Sequence, residues 1–355
     1  MTMAAAHAAA PPVADEPVLR VRDLRVGYRT PAGPLWAVDG VDLDVAPGES
    51  LGLVGESGCG KSSLGRALLN LMPPGGGVRG EVRLAARGDE PDDAAVDLVS
   101  ASASTLRGIR GNRVSLVFQE PMTRLDPLMR VSTHFVEAIR SHRPQTSKRE
   151  ARDMAEAALA QMGIPRTRVN NFPHEFSGGM RQRAMTAMAL VCDPKVVVAD
   201  EPTTALDVTI QAQVLELMGW MRDELDMALI FVTHDLAIVA DICDRVMVMY
   251  AGQVVEEASI RDLYYGPRHP YSSALLAAMP QQVSRQQGTD LASIPGSPPA
   301  PGTFPVGCRF HPRCDYAQDK CAQGEVGDLI RLRELSNGQT SRCVRVDEIE
   351  LQGTR

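Results

Sequence analysis

The sequence predicts an α/β protein with a buried sheet, a helical insert at about 120–190, and a small cysteine-containing C-terminal unit. Three observations predict it. The apolar run Leu51–Val54 passes into the glycine-rich segment Gly55-Glu56-Ser57-Gly58-Cys59-Gly60-Lys61-Ser62, after which Leu64, Ala67, Leu68 and Leu71 recur at helical spacing. Short β-branched runs then alternate with helical patterns, the signature of a sheet covered by helices. After about residue 266 the composition shifts to Pro, Gly, Gln and Cys.

In chain order, Met1–Pro17 is Ala/Pro-rich without a basic start and reads as a disordered tail rather than a signal peptide. Val18–Val26, Ala37–Val45 and Ser50–Val54 read as strands, with Pro47-Gly48 turning into the third. Residues 85–105, rich in Ala, Asp and Ser, read as a surface loop. Val114–Phe118 is a strand ending at Gln119. Val131–Arg140, Lys148–Met162 and Gly178–Leu190 are helical. Lys195–Ala199 is a strand ending in Asp200-Glu201, and helix Val208–Leu225 leads to strands Leu229–Thr233 and Val246–Tyr250. The predicted boundaries are a tail at 1–17, a core at 18–265 and a C-terminal unit at 266–355.

The chain has 355 residues and a net charge of −7, which argues against a mainly electrostatic nucleic-acid binder. No stretch approaches eighteen apolar residues, so no membrane-spanning helix is expected. Seven cysteines in a chain expected to stay in the cytosol do not read as a disulfide framework.

The segment 55–62 fits G-x-x-x-x-G-K-[ST]. A glycine turn between strand and helix lets backbone N–H groups converge on phosphate oxygens, with the helix N-terminus aimed at the same charge. Lys61 would reach the β- and γ-phosphates and Ser62 would hold Mg²⁺. Asp200 would also hold Mg²⁺, through water, and Glu201 would orient or deprotonate the attacking water. Ser177-Gly178-Gly179 opens a helix and forms a second anion site. One nucleotide does not need two such sites in one domain, whereas a head-to-tail dimer does.

Together these residues resemble the ATP-binding subunits of ABC transporters over roughly residues 18–280. The motifs stand in that family's order: phosphate loop 55–62, glutamine loop at Gln119, signature Ser177–Gln182, acidic strand end Asp200-Glu201, D-loop Thr204-Ala205-Leu206-Asp207 and switch histidine His234. The resemblance implies ATP contacts from Gly55, Glu56, Ser57, Gly58, Cys59, Gly60, Lys61, Ser62 and Ser63. Tyr28 would stack on adenine, with Trp36 the lesser candidate. Mg²⁺ would rest on Ser62, Gln119 and Asp200. Lys61, Gln119, Glu201 and His234 would serve catalysis, with Gln119 also reporting nucleotide state to the membrane partner. Ser177, Gly178, Gly179, Met180 and Gln182 would close over a partner's nucleotide, and Asp207 would work across the interface. Phe176 and Met180 stand where the family commonly has Leu and Gln. Cys59 replaces a common Ser, and the helix N-terminus beside it predicts a favoured thiolate, inactivation by thiol reagents and protection by ATP.

Val117–Met122, Phe172–Ser177, Arg268-His269-Pro270-Tyr271, Ile294–Pro299 and Gly307–Cys314 resemble the oligopeptide/dipeptide importer branch, with departures at Arg124 and Asp126. Cys308, Cys314, Cys321 and Cys343 run C-x₅-C-x₆-C-x₂₁-C, which is not zinc-ribbon spacing. Four thiolates suit Zn²⁺ or an iron–sulfur cluster, and four buried cysteines without metal are the alternative. The resemblance favours a structural [4Fe–4S] cluster, with His311 outside the ligand set. It further implies an ATPase powering peptide import from the cytoplasmic face of the plasma (inner) membrane. The expected partners are a second ATPase subunit (itself or a paralogue), two permease subunits and, indirectly, an extracytoplasmic substrate-binding protein; nucleic acid is not expected. The alternatives are import of nickel or another small solute, a non-hydrolysing regulatory subunit, and a soluble ABC ATPase acting on nucleic acid or ribosomes.

Overall fold

A computed structural model describes residues 16–30, 33–86, 94–118, 125–203, 208–279, 293–323 and 330–353. Gln119, Arg124, the 204–207 segment with Asp207, and the first fifteen residues of the expected tail lie outside them.

The centre is an eight-stranded sheet. Strands β3 (Ser50–Val54), β6 (Val114–Val117), β7 (Val196–Asp200), β8 (Ala228–Thr233) and β9 (Arg245–Tyr250) run parallel in the order β9-β3-β8-β7-β6. Each reads as a nearly unbroken apolar run because both faces are covered. The side chains divide by alternation. Val197, Ala199, Leu229 and Phe231 face the core shared with the insert helices. Val196, Val198, Ile230 and Val232 face the other core, under a four-stranded antiparallel sheet. That sheet has the order β2-β1-β4-β5, from β1 (Leu19–Thr30), β2 (Gly33–Val45), β4 (Gly76–Leu84) and β5 (Val96–Asp97). A one-residue register slip would exchange the two faces, so the double burial fixes the register.

Helix α1 (Lys61–Leu68) leaves β3 through the glycine loop and buries Leu64, Ala67 and Leu68 beneath the antiparallel sheet. Part of the stretch read as a surface loop is core. Leu98 is buried within it, and its end enters α2 (Ala103–Ile109), which buries Leu106 and Ile109 just beyond; the Ser102 hydroxyl caps this helix, accepting from the Thr105 N–H at 3.1 Å. The insert is α3 (Val131–His142), α4 (Lys148–Gln161) and α5 (Gly178–Leu190), packed through Phe135, Ile139, Ala151, Ala155 and Leu159. Four-residue spacings within α3 and α4 put these on facing stripes. Helix α6 (Val208–Leu225) returns the chain to β8, and α7 (Leu236–Ile242) follows β8.

The composition change at 266 is not a boundary in the sheet. Strand β10 (Gln253–Ser259) runs antiparallel to β9, β12 (Thr340–Ser341) pairs with β10, and β11 (Arg333–Glu334) closes the edge. Helices α8 (Ile260–Tyr265) and α9 (Pro270–Ala277) lie between. Buried Glu256 on β10 accepts the N–H groups of Arg268 and His269, at 2.7 and 2.8 Å, and so fixes the entry to α9. Among the described residues no helix is long and apolar enough to cross a membrane.

Candidate active site

Strand β3 delivers the loop at 55–60. Gly55 has φ 153° and Gly60 has φ 107°; a Cβ would run into the Met249 carbonyl at the first and the Ala37 carbonyl at the second. Only glycine meets both demands. Ser57 and Gly58 form the exposed crest of the loop. Lys61 is buried, and its Nζ donates to the carbonyls of Gly55 at 2.7 Å and Glu56 at 3.0 Å. Its ammonium is thus folded over the loop, where a phosphate would replace water as the remaining partner.

Strand β7 carries Asp200 to the same edge. Ser62 Oγ donates to Asp200 Oδ1 at 2.8 Å. Asp200 is 2% exposed, and burial pushes its carboxyl up against the opposing pull of the Ser62 bond. A hydroxyl and a carboxylate facing each other at a phosphate loop are a donor pair that fits Mg²⁺. One residue on, Glu201 takes φ 47°, an uncommon conformation for a side chain of its size. Its N–H bonds to Val232 O at 2.9 Å, and its Oε1 meets His234 Nδ1 at 3.1 Å. His234 is exposed at the end of β8, while Glu201 is mostly sheltered. The turn after β7 therefore aims Asp200 inward to Ser62 and Glu201 outward to His234.

Tyr28 lies beside the loop, with its hydroxyl 2.9 Å from Ser63 Oγ. The Trp36 ring lies against Gly27, with the Arg79 guanidinium 5.3 Å from its centroid. Ser177 caps α5, its Oγ accepting from Met180 N–H at 3.3 Å, and Ser177 and Gly178 are exposed. Gln182 does not join them at the surface. It is 2% exposed and donates to Pro202 O at 2.9 Å, tying α5 to the turn that carries Glu201. Five residues beyond the cap, about 140° further round the helix, it faces the chain's own core rather than outward.

Cys59 also departs from expectation. The thiol is 1% exposed, and burial pushes it up despite Lys61 Nζ at 3.7 Å. Desolvation outweighs the nearby charge, so the thiol and not the thiolate is the resting form. A short iodoacetamide pulse followed by mass spectrometry is expected to leave Cys59 largely unlabelled in the native protein and labelled after unfolding. Equal labelling in both states would contradict this.

Cys308, Cys314, Cys321 and Cys343 border one cavity of about 20 Å³, together with His269, Phe310 and Tyr316. Such a volume admits about one water. Burial pushes the Cys308 thiol up to about 12 and Cys314 to about 11. Among the described residues no group of three or more His, Cys, Asp or Glu is arranged to hold a metal ion. The expected metal at these cysteines, iron or zinc, is therefore not supported by their arrangement: they converge on one small void, with Cys321 buried and Cys308, Cys314 and Cys343 half-buried. His311 also lines the cavity, with its Nδ1 2.8 Å from Cys308 O. The ring of His269 also lines the cavity; its Nδ1 accepts from Tyr271 N–H at 3.1 Å and its buried Nε2 has no partner.

Sequence reasoning missed what the tail brings to the loop. Arg313 forms a two-pronged ion pair with Glu56, and the Tyr271 hydroxyl accepts the Glu56 N–H at 2.8 Å. Arg309 pairs with Asp39. The motifs containing Arg313 and Tyr271 were visible as motifs, but nothing in a single sequence pairs them with residues more than two hundred positions away.

Residues 38–204 match the family model described as ABC transporter, and residues 255–321 match the model described as oligopeptide/dipeptide transporter, C-terminal region. The chain is 41% identical over 335 residues to the oligopeptide transport ATP-binding protein OppD of Escherichia coli (strain K12), covering 94% of each chain. The chain belongs to the ABC transporter ATP-binding proteins. OppD of Bacillus subtilis (strain 168) is 45% identical over 304 residues, covering 84% of this chain and 82% of that one. Among solved structures, a dimeric post-hydrolysis state of the ATP-binding cassette MJ0796 bound to ADP and Pi matches this ABC protein with TM-score 0.60 and 26% identity. The match covers 68% of this chain and 99% of that one.

Proposed function

We propose that this ABC ATPase powers uptake of peptides across a bacterial plasma membrane, seated on the cytoplasmic face against two permease subunits and paired with a second ATPase subunit. What carries the reading is that the likeness to an OppD protein runs through 94% of the chain, tail included. The nickel and nucleic-acid alternatives have no comparable observation behind them. An extracytoplasmic protein would select the peptide.

In this reading Lys61 and the loop N–H groups bind the β- and γ-phosphates, and Tyr28 stacks on adenine. Ser62 and Asp200, with Gln119, hold Mg²⁺, which neutralises phosphate charge when bound. Glu201 takes a proton from, or orients, the attacking water, and His234 holds Glu201 through the Nδ1 contact. Ser177, Gly178, Gly179 and Met180, exposed or half-exposed on α5, cover the partner's nucleotide, with Asp207 at the same interface. Gln182 acts within its own chain. Closing the dimer completes a dry site, and hydrolysis reopens it. The test is copurification with the permease subunits and reconstitution in liposomes. ATP hydrolysis is expected to rise with a peptide-loaded binding protein; stimulation by nickel instead, or by neither, overturns the reading.

The four cysteines belong to the same proposal as a [4Fe–4S] site, although the void of about 20 Å³ between them must widen to admit a cluster; the support is the donor set, four sulfurs with His269 and His311 and no carboxylate around one space. The cysteines would hold the cluster, and the tail, poor in apolar core, would gain order from it. Protein purified anaerobically is expected to be brown, absorbing at about 400 nm as iron–sulfur proteins do. Colourless protein, with zinc or with no metal, contradicts the assignment.

A further inference from the structure

The phosphate loop does not stand on the sheet alone. Glu56, its second residue, is gripped from the far end of the chain. Arg313 donates from Nη1 to Glu56 Oε2 at 2.7 Å and from Nη2 to Oε1 at 3.0 Å, a fork-on-fork pair. The Arg313 side chain is 6% exposed and that of Glu56 26%. Arg313 is itself held. Its Nε donates to Pro295 O at 2.8 Å, Nη1 also reaches Tyr250 Oη at 3.3 Å, and Nη2 reaches Gly296 O at 3.3 Å. The guanidinium thus arrives with its direction fixed before it meets the loop.

Three further contacts close the bracket. The Tyr271 hydroxyl takes the Glu56 N–H, withdrawing it from the donors that could turn toward phosphate. Tyr250, Tyr271 and Phe310 pack ring against ring beneath, with centroids 4.7 to 5.3 Å apart. On the other flank Arg309 pairs with Asp39 and donates to Ala251 O at 2.6 Å, while Gly252 N–H donates to Cys59 O at 2.8 Å. The two arginines stand at either end of one short segment, Arg309–Arg313, and brace both sides of the loop.

The carboxylate of Glu56 is awkward at this place. Its own backbone carbonyl receives Lys61 Nζ, so a negative side chain sits one residue from the groups that would meet a triphosphate. Unpaired and largely removed from water, it would repel the ligand and be free to pull the loop out of register. We propose that Arg313 is a positioning residue for ATP binding: through Glu56 it neutralises and fixes the phosphate loop, so that the tail sets the nucleotide affinity of the cassette. This rests on 55–62 being the ATP site.

The experiment is equilibrium binding of Mg·ATP to the full chain, read by displacement of a fluorescent ATP analogue, with melting temperatures recorded in parallel. Arg313→Ala is expected to weaken binding by about tenfold or more, the cost of leaving a sheltered charge unpaired. Arg313→Lys, which keeps the charge but not the fork, should lose a smaller part, about threefold. The double variant Arg313→Ala/Glu56→Gln removes the stranded carboxylate and should recover most of the loss at an unchanged or lower melting temperature. A purely structural arginine would not behave so, because affinity would then track stability. Wild-type affinity in Arg313→Lys and Arg313→Ala, or a double variant no better than Arg313→Ala, overturns the proposal. If Arg313→Ala does not fold, Arg313→Lys and the double variant decide it. Lys61→Ala separates the underlying reading: if that variant binds ATP like wild type, the loop is not the ATP site at all.

Discussion

Lys61→Ala is expected to abolish measurable ATP binding and, with it, hydrolysis. The ammonium is buried, and among the described residues its hydrogen-bond partners are two carbonyls and a sulfur of the loop it covers. Two carbonyl oxygens do not neutralise a cation, so the arrangement is complete only when an anion joins it. A charge-assisted contact of this kind contributes about 3 kcal/mol, or roughly a hundredfold in affinity. Lys61→Arg should fail nearly as badly, since a planar fork cannot sit where a point charge is cradled by Gly55 and Glu56. Equilibrium binding of Mg·ATP checks both. An affinity within threefold of wild type in Lys61→Ala would contradict the assignment.

Glu201→Gln separates binding from chemistry. Glu201 bonds through its N–H to Val232 O on β8 and through its carboxylate to His234. The amide keeps the shape and one acceptor, so the loop and its nucleotide should be undisturbed. What is lost is the base. Hydrolysis is expected to fall by about 10²–10³, within the range for removing a positioned general base, while ATP affinity stays within a few-fold. Phosphate release under single turnover measures the first, and equilibrium binding the second. Hydrolysis at the wild-type rate would remove Glu201 from the mechanism. His234→Ala should give a smaller loss of the same kind, because it acts on Glu201 rather than on the water.

Much of the central sheet was legible because burial on both faces leaves long apolar runs. The strand predicted at Ser50–Val54 and the helices predicted at Gly178–Leu190 and Val208–Leu225 have the predicted bounds. The antiparallel sheet was harder. Strand β4 reads GGVRGEVRL, with glycines and arginines on its open side and only Val82 and Leu84 fully buried. Helix α2 hides in an Ala/Ser-rich stretch, where its one local signal is the Ser102 cap three residues before Thr105. Strands β11 and β12 are two residues each and exist only because β10 offers an edge. No local pattern announces such a pairing.

The site divides the same way. Ser62 with Asp200 and Glu201 with His234 could be read from motif order, since each motif ends a core strand. Gln182 could not. Helical phase turns it from the exposed cap of α5 to the carbonyl of Pro202. Nor could Cys59, because a helix N-terminus and a lysine both favour thiolate while burial, invisible in a local sequence, opposes them more strongly. The Arg313–Glu56 pair lies furthest beyond reach: it joins two motifs 257 positions apart, each complete in itself.

The central claim is that the loop at 55–62 is half a site and that the exposed cap of α5 is the other half, supplied by a partner. Replacing Ser177 by arginine tests it most directly. The side chain is exposed and, among the described residues, its hydroxyl bonds to its own helix start, so the chain's own ATP pocket is left intact. ATP binding and hydrolysis are to be measured on the Ser177→Arg chain assembled with its partner ATPase and permease. The account predicts affinity within threefold of wild type and hydrolysis reduced by about 10² or more, the scale of removing preorganised groups from a developing charge. Unchanged hydrolysis, or a loss of binding equal to the loss of hydrolysis, would contradict it.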